Sequence, residues 1–286
     1  MAQDQHRDQH RDQHQDRAPL CRLLVDVRGL EQRPIDALRV LVTADVLARI
    51  RERSGGDQVL AVLEDRGAAA VRSAWSGALQ IRDPLASARD PEEALECLLG
   101  RPDLVVGPAD PATPATRAAR PSPGRQHRRL GVGTTRLSPS LAATFAVSGP
   151  ADDRDPLSLR LALLRFRCAA PAEVSIARLH RAEETLERWQ IKVAGWADMP
   201  PGPMPPGHAE EVRRALHADA TDGTVGPVGV VGDGPDTPAV LTSLHRLEID
   251  PRLPSGSKYQ AFAQADRVLA LQLGRLVRPA IPGRSA

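Results

Sequence analysis

Aromatic side chains and lysine are nearly absent from this 286-residue sequence. Phe, Trp and Tyr make up only 2% of it, so its core has to be built from Leu, Val, Ile and Ala. Stacking platforms for single-stranded nucleic acid need several exposed aromatic rings, and this composition argues against them. Lys192 and Lys258 are the only lysines among 38 basic residues, and such an excess of arginine is typical of a GC-rich coding sequence.

Cysteine and long apolar runs are also scarce. The three cysteines, Cys21, Cys97 and Cys168, are too few and too widely spaced for a disulfide framework or a zinc-binding signature. No stretch approaches about 18 uncharged apolar residues, which argues against a membrane span, and the polar N-terminus argues against a secretory signal. We therefore expect a cytoplasmic protein.

The sequence has 38 basic and 36 acidic side chains, so neither sign of charge dominates. A dedicated nucleic-acid-binding domain usually carries a clear basic excess, so DNA is not an expected partner. The densest basic segment is 125–129, with three arginines and His127. We interpret it as part of a solvated loop rather than as a binding patch.

The composition divides the chain into two folded parts between two tails. Residues 1–19 repeat Asp-Gln-His-Arg and contain almost nothing to bury, which predicts a disordered tail. As an alternative, a helix there would align His6, His10 and His14 for a transition metal. Residues 20–150 and 151–278 hold the apolar segments, and residues 279–286 form the second tail.

Residues 20–150 begin with the pattern of a βαβ unit. Apolar runs at 23–27 and 59–63 predict buried strands, and an amphipathic segment at 37–53, capped by Asp36, predicts the helix between them. Parallel strands joined in this way predict a Rossmann-like sheet, which often binds a nucleotide at the carboxyl ends of its strands. The turn at 28–36 has a single glycine, however, so no glycine-rich phosphate loop is present.

Shorter elements complete this part of the chain. Helices are predicted at 67–78 and 91–99, and a short apolar run predicts a strand at 103–106. Residues 108–129 are rich in Pro, Ala and Thr and lack any period, which predicts an exposed flexible loop.

Residues 151–278 have the periodicity of helices. In segment 155–164, Asp-Pro opens a run that is apolar except for Arg160, which predicts a helix buried on most sides. Between Ile176 and Trp196, apolar residues recur every three or four positions, which predicts a long amphipathic helix. An i,i+4 pair of Glu184 and Arg188 should support its outer side.

Three more helices are predicted towards the C-terminus. They lie at 210–218, at 237–248 with Thr237 as the cap, and at 257–277 with Leu276 facing inward. Four or five helices of this kind can bury their apolar faces against one another, which predicts a helical bundle.

Three segments of the helical part resemble a known family. Segment 155–164, the turn at 235–238 (Pro-Asp-Thr-Pro) and segment 258–273 resemble the hinge, a turn and the closing helix of class I cysteinyl-tRNA synthetases. The related mycothiol-pathway cysteine ligase shares the hinge and part of the bundle. The resemblance implies an α/β plus all-α protein. A truncated catalytic domain with a Rossmann-like parallel sheet would fill residues 20–150, and the synthetase-type helical bundle would follow at 151–278.

The family's ATP-binding signatures are altered at the matching positions. The His-x-Gly-His turn that holds phosphates in the family matches residues 34–37, where Asp36 would repel a triphosphate. The Lys-Met-Ser-Lys-Ser loop, whose lysines stabilise the leaving pyrophosphate, matches residues 136–140. Arg136 keeps the first positive charge of this loop, and Ser138 and Ser140 keep its two serines. Pro139 replaces the second lysine, so the second positive charge is lost.

The family's zinc site is altered as well. Val25 stands where the first zinc ligand is expected and cannot coordinate a metal, and Cys21 lies four residues out of register. Gly107 and Asp110 match part of a glycine-rich segment of the family, whose other glycines and histidine are absent. The resemblance thus implies no zinc and no catalytic residue.

What remains by resemblance is a weak nucleotide-binding pocket, for which ATP is the candidate ligand. Its members would be Asp36, Gly107, Asp110, Arg136, Ser138 and Ser140. Our first hypothesis is a synthetase-like protein without aminoacylation activity that binds a protein or tRNA partner. The alternatives are an ATP-dependent ligase that activates cysteine or a related small acid, and a tRNA-binding module.

Overall fold

The apolar runs of the first half form parallel strands, and the second half is mainly helical. The computed structural model describes residues 19–54, 57–64, 69–109, 128–144, 155–203, 207, 210 and 234–277. Within these residues the strands are β1 (Leu20–Asp26), β2 (Gln58–Glu64), β3 (Ala86–Ala88), β4 (Leu104–Pro108), β5 (Arg128–Val132), β6 (Thr135–Leu137) and β7 (Ala172–Val174). The helices are α1 (Pro34–Ser54), α2 (Ala69–Trp75), α3 (Pro91–Cys97), α4 (Pro139–Thr144), α5 (Leu157–Leu164), α6 (Ile176–Trp196), α7 (Thr237–Ile249) and α8 (Ser255–Leu269).

The main sheet has five parallel strands in the order β3-β2-β1-β4-β5. This arrangement confirms the predicted βαβ unit and the α/β character of the first half. Alternate residues of the strands face opposite sides. Leu23 and Val25 join the large core that includes α1, whereas Val62 packs with Ala94 and Leu98 on the other side. β6 and β7 form a separate two-stranded parallel sheet.

The central helix α1 is longer than predicted and begins at Pro34, which suits the first turn because proline lacks an N–H group. Asp36 therefore lies inside the first turn and is not the N-cap that the sequence suggested. Nearly every residue of α1 from Ile35 to Ile50 is buried, because the helix lies between the main sheet and the C-terminal helices.

Helix α5 is buried along its whole length, as the sequence predicted. All eight of its residues are shielded from solvent, and the backbone N–H of Leu157 donates to the Asp155 carboxylate at the start of the helix. Arg160 is fully buried with the apolar residues. Its partners lie on three other parts of the chain, so α5 contacts both halves of the protein.

Helix α6 confirms the predicted apolar stripe, with five of its positions buried and the two end positions, Ile176 and Trp196, partly buried. Trp189 and Trp196 both meet Phe262 of α8 edge to face, with ring centroids 5.5 and 5.4 Å apart. The predicted pair of Glu184 with Arg188 is wrong, because Arg188 donates to Glu248 of α7 instead.

One predicted cap in this half is wrong, and strand β7 was not predicted. β7 precedes α6, and Ser175 caps α6 by accepting from the N–H of Arg178. At α7 the cap is Asp236, which accepts from the N–H of Ala239, while the Thr237 hydroxyl donates to the carbonyl oxygen of Leu164 at 2.7 Å.

The last helix is shorter than the predicted span 257–277. It ends at Leu269, and Ala270 takes the left-handed conformation with φ of 52°. Asp266 stabilises the reversal by accepting from the backbone N–H groups of Leu271 and Leu273. Leu276 is consequently 48% exposed and does not face inward as expected.

The predicted loop at 108–129 is partly wrong, because Pro108 ends β4 and residues 128–129 belong to β5. Residues 110–127 of that loop lie outside the described residues, as do most of the predicted helix at 210–218 and the tail segments 1–18 and 278–286. None of the described helices combines bilayer-spanning length with a sufficiently apolar, uncharged sequence.

Candidate functional site

The carboxyl edge of the main sheet is the place where a fold of this type binds ligands. All five strands are parallel, so their carboxyl ends meet at one edge, and the strand order changes direction at β1. A crevice forms at such a point, next to β1 and β4. Asp26 ends β1, Glu64 ends β2 and Gly107 lies near the end of β4, so these residues border the crevice.

Two carboxylates and two guanidinium groups neutralise each other at this edge, and we call them the edge network. Arg28 binds both oxygens of Asp26, with Nε 3.0 Å from Oδ1 and Nη2 3.1 Å from Oδ2. Arg28 Nη1 also lies 3.1 Å from Oε1 of Glu64. Arg129 Nη2 lies 3.5 Å from Asp26 Oδ2 on the other side. The network of Asp26, Arg28, Glu64 and Arg129 therefore carries no net charge.

The environment of Asp26 keeps it ionised. Burial by itself would raise the pKa of Asp26, but the hydrogen bonds and charge of Arg28, together with the charge of Arg129, lower it below its usual range. The bond to Asp26 in turn raises the pKa of Arg28. Both ions thus stabilise each other, and an incoming anion would compete with a carboxylate that is already in place.

Gly107 is required by close packing beside this network. A Cβ atom at this position would lie 3.1 Å from Arg129 Nη2, Asp26 Cβ and the Asp26 carbonyl oxygen. Its lack of a side chain lets β1, β4 and the Arg129 side chain approach one another. Asp110, the other member of this predicted segment, lies outside the described residues.

Asp36 lies in the N-terminal turn of α1. In nucleotide-binding folds, the free N–H groups of such a turn bind a phosphate. The Asp36 carboxylate accepts from the backbone N–H of Thr135, and Arg33 Nη1 lies 3.5 Å from its Oδ2. The side chain is almost fully buried. Asp36 therefore joins α1 to β6 and places negative charge at the positive end of the helix dipole.

Arg136, Ser138 and Ser140 follow directly after Thr135. Arg136 is exposed at the second position of β6, and the Ser138 N–H donates to the Val174 carbonyl oxygen at 3.0 Å. The hydroxyl oxygens of Ser138 and Ser140 are 3.4 Å apart. The hydrogen bond from Thr135 to Asp36 thus brings residues 136–140 next to Asp36. Gly107, by contrast, lies beside the edge network.

Arg39 is a buried cation that sequence analysis missed. Its guanidinium donates to five backbone carbonyl oxygens, those of residues 133, 134, 167, 168 and 170, at 2.7–3.4 Å. These bonds fix the β5–β6 and α5–β7 connections to the second turn of α1. The only sequence signal was a charged residue inside an apolar helical run, and its partners lie about a hundred residues away in sequence.

A second charged cluster surrounds the buried carboxylate of Glu248. Its Oε1 accepts from Arg188 Nε and Lys192 Nζ, both at 2.8 Å, and its Oε2 accepts from Trp189 Nε1 at 2.9 Å. His245 Nδ1 lies 3.2 Å from the same Oε2. Burial would raise the pKa of Glu248, but these hydrogen bonds lower it to about 2.

The low pKa of Glu248 predicts a loss of stability in acid. A carboxyl whose pKa is lower in the folded state stabilises the fold above its unfolded pKa of 4.5, and that contribution disappears as pH falls towards about 2. Glu248→Gln should lower the free energy of unfolding by roughly 1–2 kcal/mol at neutral pH and by much less near pH 3. Denaturant titrations at both pH values would measure this difference, with Glu187→Gln at an exposed position of α6 as control. A penalty that stays constant with pH would contradict the assignment.

Three exposed arginines of α6 and the exposed arginine that directly follows α5 form a group that we call the arginine face. They are Arg165, Arg178, Arg181 and Arg188. Arg165 Nη2 donates to the Thr185 hydroxyl at 2.9 Å, and the Arg178 guanidinium lies 5.3 Å from the centre of the Phe166 ring.

Part of the positive charge on this face is not matched by an ion pair among the described residues. Burial and the nearby charges of Arg188 and Arg181 lower the pKa of Arg165. Among the described residues, neither Arg165 nor Arg181 forms an ion pair, whereas Arg188 pairs with Glu248. Repulsion among like charges is a cost that a bound anion would relieve.

The part of the chain that the structure describes contains no cluster of three His, Cys, Asp or Glu side chains arranged to hold a metal. Val25, at the position of the family's first zinc ligand, is buried in β1, and burial raises the pKa of the nearby Cys21 thiol.

No protein-family model matches this chain, and no curated protein matches it either.

Proposed function

We propose that this protein is a cysteinyl-tRNA synthetase-like protein without aminoacylation activity, which acts by binding a protein or tRNA partner. The observation that supports the proposal is the neutral edge network at the carboxyl edge of the sheet. In this interpretation, the main sheet corresponds to a truncated class I catalytic domain, and helices α5–α8 correspond to the synthetase-type helical bundle.

The charges at the edge are unsuited to adenylate formation. That reaction needs positive groups and free N–H donors aimed at the phosphates as charge develops on pyrophosphate. Here Arg28 and Arg129 are paired with Asp26, and Asp36 occupies the first turn of α1. Arg136 is the one cation kept from the family's mobile loop, and a single exposed arginine offers little stabilisation in water.

Calorimetry with ATP tests the proposal. The wild-type protein should give no binding heat at ATP concentrations up to about 1 mM, because a triphosphate would have to displace carboxylates from both arginines. Asp26→Asn should gain weak binding of inorganic triphosphate, since it releases Arg129 and leaves Arg28 paired with Glu64 alone. Asp103→Asn, which removes an exposed carboxylate from the opposite edge, should not. Tight binding of ATP to the wild type would contradict the proposal and favour the alternative of an ATP-dependent ligase.

A tRNA-binding module is the second candidate, and the arginine face favours it. Helix α6 carries Arg178, Arg181, Arg188 and Lys192 at intervals of three, seven and four residues, which places them along one side of the helix. From Arg178 to Lys192 this row is about 21 Å long at 1.5 Å per residue. Arginine forks suit phosphate oxygens, and a local row of charge can bind a polyanion even though the whole chain is nearly neutral.

A further inference from the structure

A cleft opens between α1 and the main sheet, away from the edge network. It has a volume of about 250 Å³ and is lined by strands β1 and β2, the middle and end of α1, and residues 81–85. No residue of the edge network belongs to its lining. The cleft is therefore a separate feature of the molecule, and a ligand bound in it would not depend on the proposed function.

The short length of β3 leaves this side of the sheet open. β3 pairs only with residues 62–64 of β2, so the first half of β2 has no neighbouring strand on that side among the described residues. Residues 59–61 are accordingly only partly buried, whereas residues 62–64 are buried. On the opposite wall, Ala44 and Ala48 lie one turn apart on α1 and leave further room. Protein interiors are normally packed without gaps larger than a water molecule, so a space of this size is unusual.

The deepest charged group of the cleft is fully paired. The Asp45 carboxylate accepts from Arg160 at 2.6 Å and from Arg49 at 2.9 Å through Oδ2. Its Oδ1 accepts from the backbone N–H of Arg82 at 3.2 Å. With two cations and an N–H group in place, Asp45 does not need a donor from a ligand.

The rim of the cleft has no net charge. Glu52 pairs with Arg82, and Asp83 pairs with Arg72 at 3.7 Å. An ion that entered the cleft would lose its hydration without meeting an unpaired group of opposite charge, and this loss is costly. The paired charges of the lining therefore select an uncharged occupant over a cation or an anion.

Apolar groups surround the opening. Leu85 lines the cleft, yet its side chain is 71% exposed, and the neighbouring Val59 and Ala61 are partly buried. Water against these side chains has few hydrogen-bonding partners, so an apolar molecule that covers them would displace it favourably. An apolar cavity of about 150 Å³ can hold benzene, so this larger cleft has room for a substituted ring.

We propose that the cleft binds a small uncharged apolar molecule, about the size of a substituted benzene ring, which lies between Ala48 and Ala61 and covers Leu85. The affinity comes from the apolar surface that the ligand removes from water. The selectivity against ions comes from the lining, in which each charged side chain already has its partner.

Three probes of similar size test the charge preference. Toluene, benzylamine and benzoate share one ring and differ in the charge of the substituent. In two-dimensional NMR titrations at neutral pH, toluene should bind with millimolar affinity, at least about fivefold more tightly than either ion. An ion that binds as tightly as toluene, or the absence of any shift with toluene at about 4 mM, would overturn the proposal.

A variant that fills the cleft locates the binding. Ala48→Phe places a ring in the space between α1 and β2 and should reduce toluene affinity at least about tenfold. Ala177→Phe makes the same change at an exposed position of α6 and should have no effect. Undiminished toluene binding in folded Ala48→Phe would place the ligand elsewhere and contradict the site.

A second variant at the opening keeps the test decisive if Ala48→Phe fails to fold. Leu85 is mostly exposed, so Leu85→Ser should perturb folding little. It removes apolar surface that the ligand covers and should weaken toluene binding about threefold. Leu276→Ser, at an exposed position near the C-terminus, is the matched control and should leave toluene binding unchanged. Equal toluene affinities of the two serine variants would contradict the proposed placement.

Discussion

Replacing Arg160 by methionine should lower the free energy of unfolding by about 3–5 kcal/mol. The guanidinium is fully buried and donates to Asp45 Oδ2 at 2.6 Å, to the Leu269 carbonyl oxygen at 2.6 Å and to the Leu79 carbonyl oxygen at 2.9 Å. Methionine keeps most of the volume but removes the charge and all three bonds. The Asp45 carboxylate would lose one of its two cationic partners, and two carbonyl groups would lose a donor.

Denaturant unfolding at neutral pH measures this loss. Arg167→Met is the matched control, since it removes the same side chain from an exposed pair with Asp236 and should cost less than about 1 kcal/mol. A cycle with Asp45→Asn would isolate the coupling between the two buried ions. If Arg160→Met were as stable as Arg167→Met, α5 would not be held to α1 in the way the structure shows.

Removing two arginines from the arginine face should weaken the binding of tRNA at least about tenfold at moderate salt. Arg165 and Arg181 form no ion pair among the described residues, so no internal salt bridge has to break before they meet a phosphate. The double variant Arg165→Ala/Arg181→Ala should also reduce the slope of log affinity against log salt concentration by about 1–2, because two phosphate contacts are lost. Gel-shift titrations with bulk tRNA at several salt concentrations give both quantities.

The control variant has the same change in net charge elsewhere. Arg53→Ala/Arg101→Ala removes two exposed arginines from the sheet half and should leave the affinity nearly unchanged. Equal losses in both double variants would indicate nonspecific attraction. Wild-type protein that fails to bind tRNA even at low salt would leave a protein partner as the binding hypothesis.

The parts of the fold that sequence analysis predicted correctly are those with strong local patterns. The β1–α1–β2 unit, the buried helix α5 and the apolar stripe of α6 each depend on periodicity or apolar runs within about twenty residues. The errors have different causes. Strands β3, β6 and β7 have three residues each, and so short a segment has no detectable period.

Errors at helix ends came from competing local groups. Asp236 and Thr237 are adjacent and both can cap a helix, but Thr237 is used to bind Leu164 across the fold. The pattern of the last helix continues past Leu269 in sequence. The chain nevertheless reverses there, because the Asp266 carboxylate captures two N–H groups beyond the helix end.

The sequence could locate the candidate site, but it could not predict how the charged side chains of the site pair. The resemblance directed attention to Asp36 and Gly107, yet the partner of Asp36 lies 99 residues away at Thr135. The edge network joins the ends of β1 and β2 to Arg28 and to Arg129 near the start of β5, and no local pattern pairs Asp26 with Arg129 across 103 residues. Contacts of this range depend on strand order, which only the folded structure supplies.

Exchange of labelled pyrophosphate into ATP in the presence of cysteine tests the central claim most directly, because it detects reversible adenylate formation without any tRNA. With its edge cations bound to Asp26 and its first helical turn occupied by Asp36, the protein should give no cysteine-dependent exchange above the blank. Saturable exchange that requires cysteine would show that this edge of the sheet still performs the chemistry, and it would contradict the account.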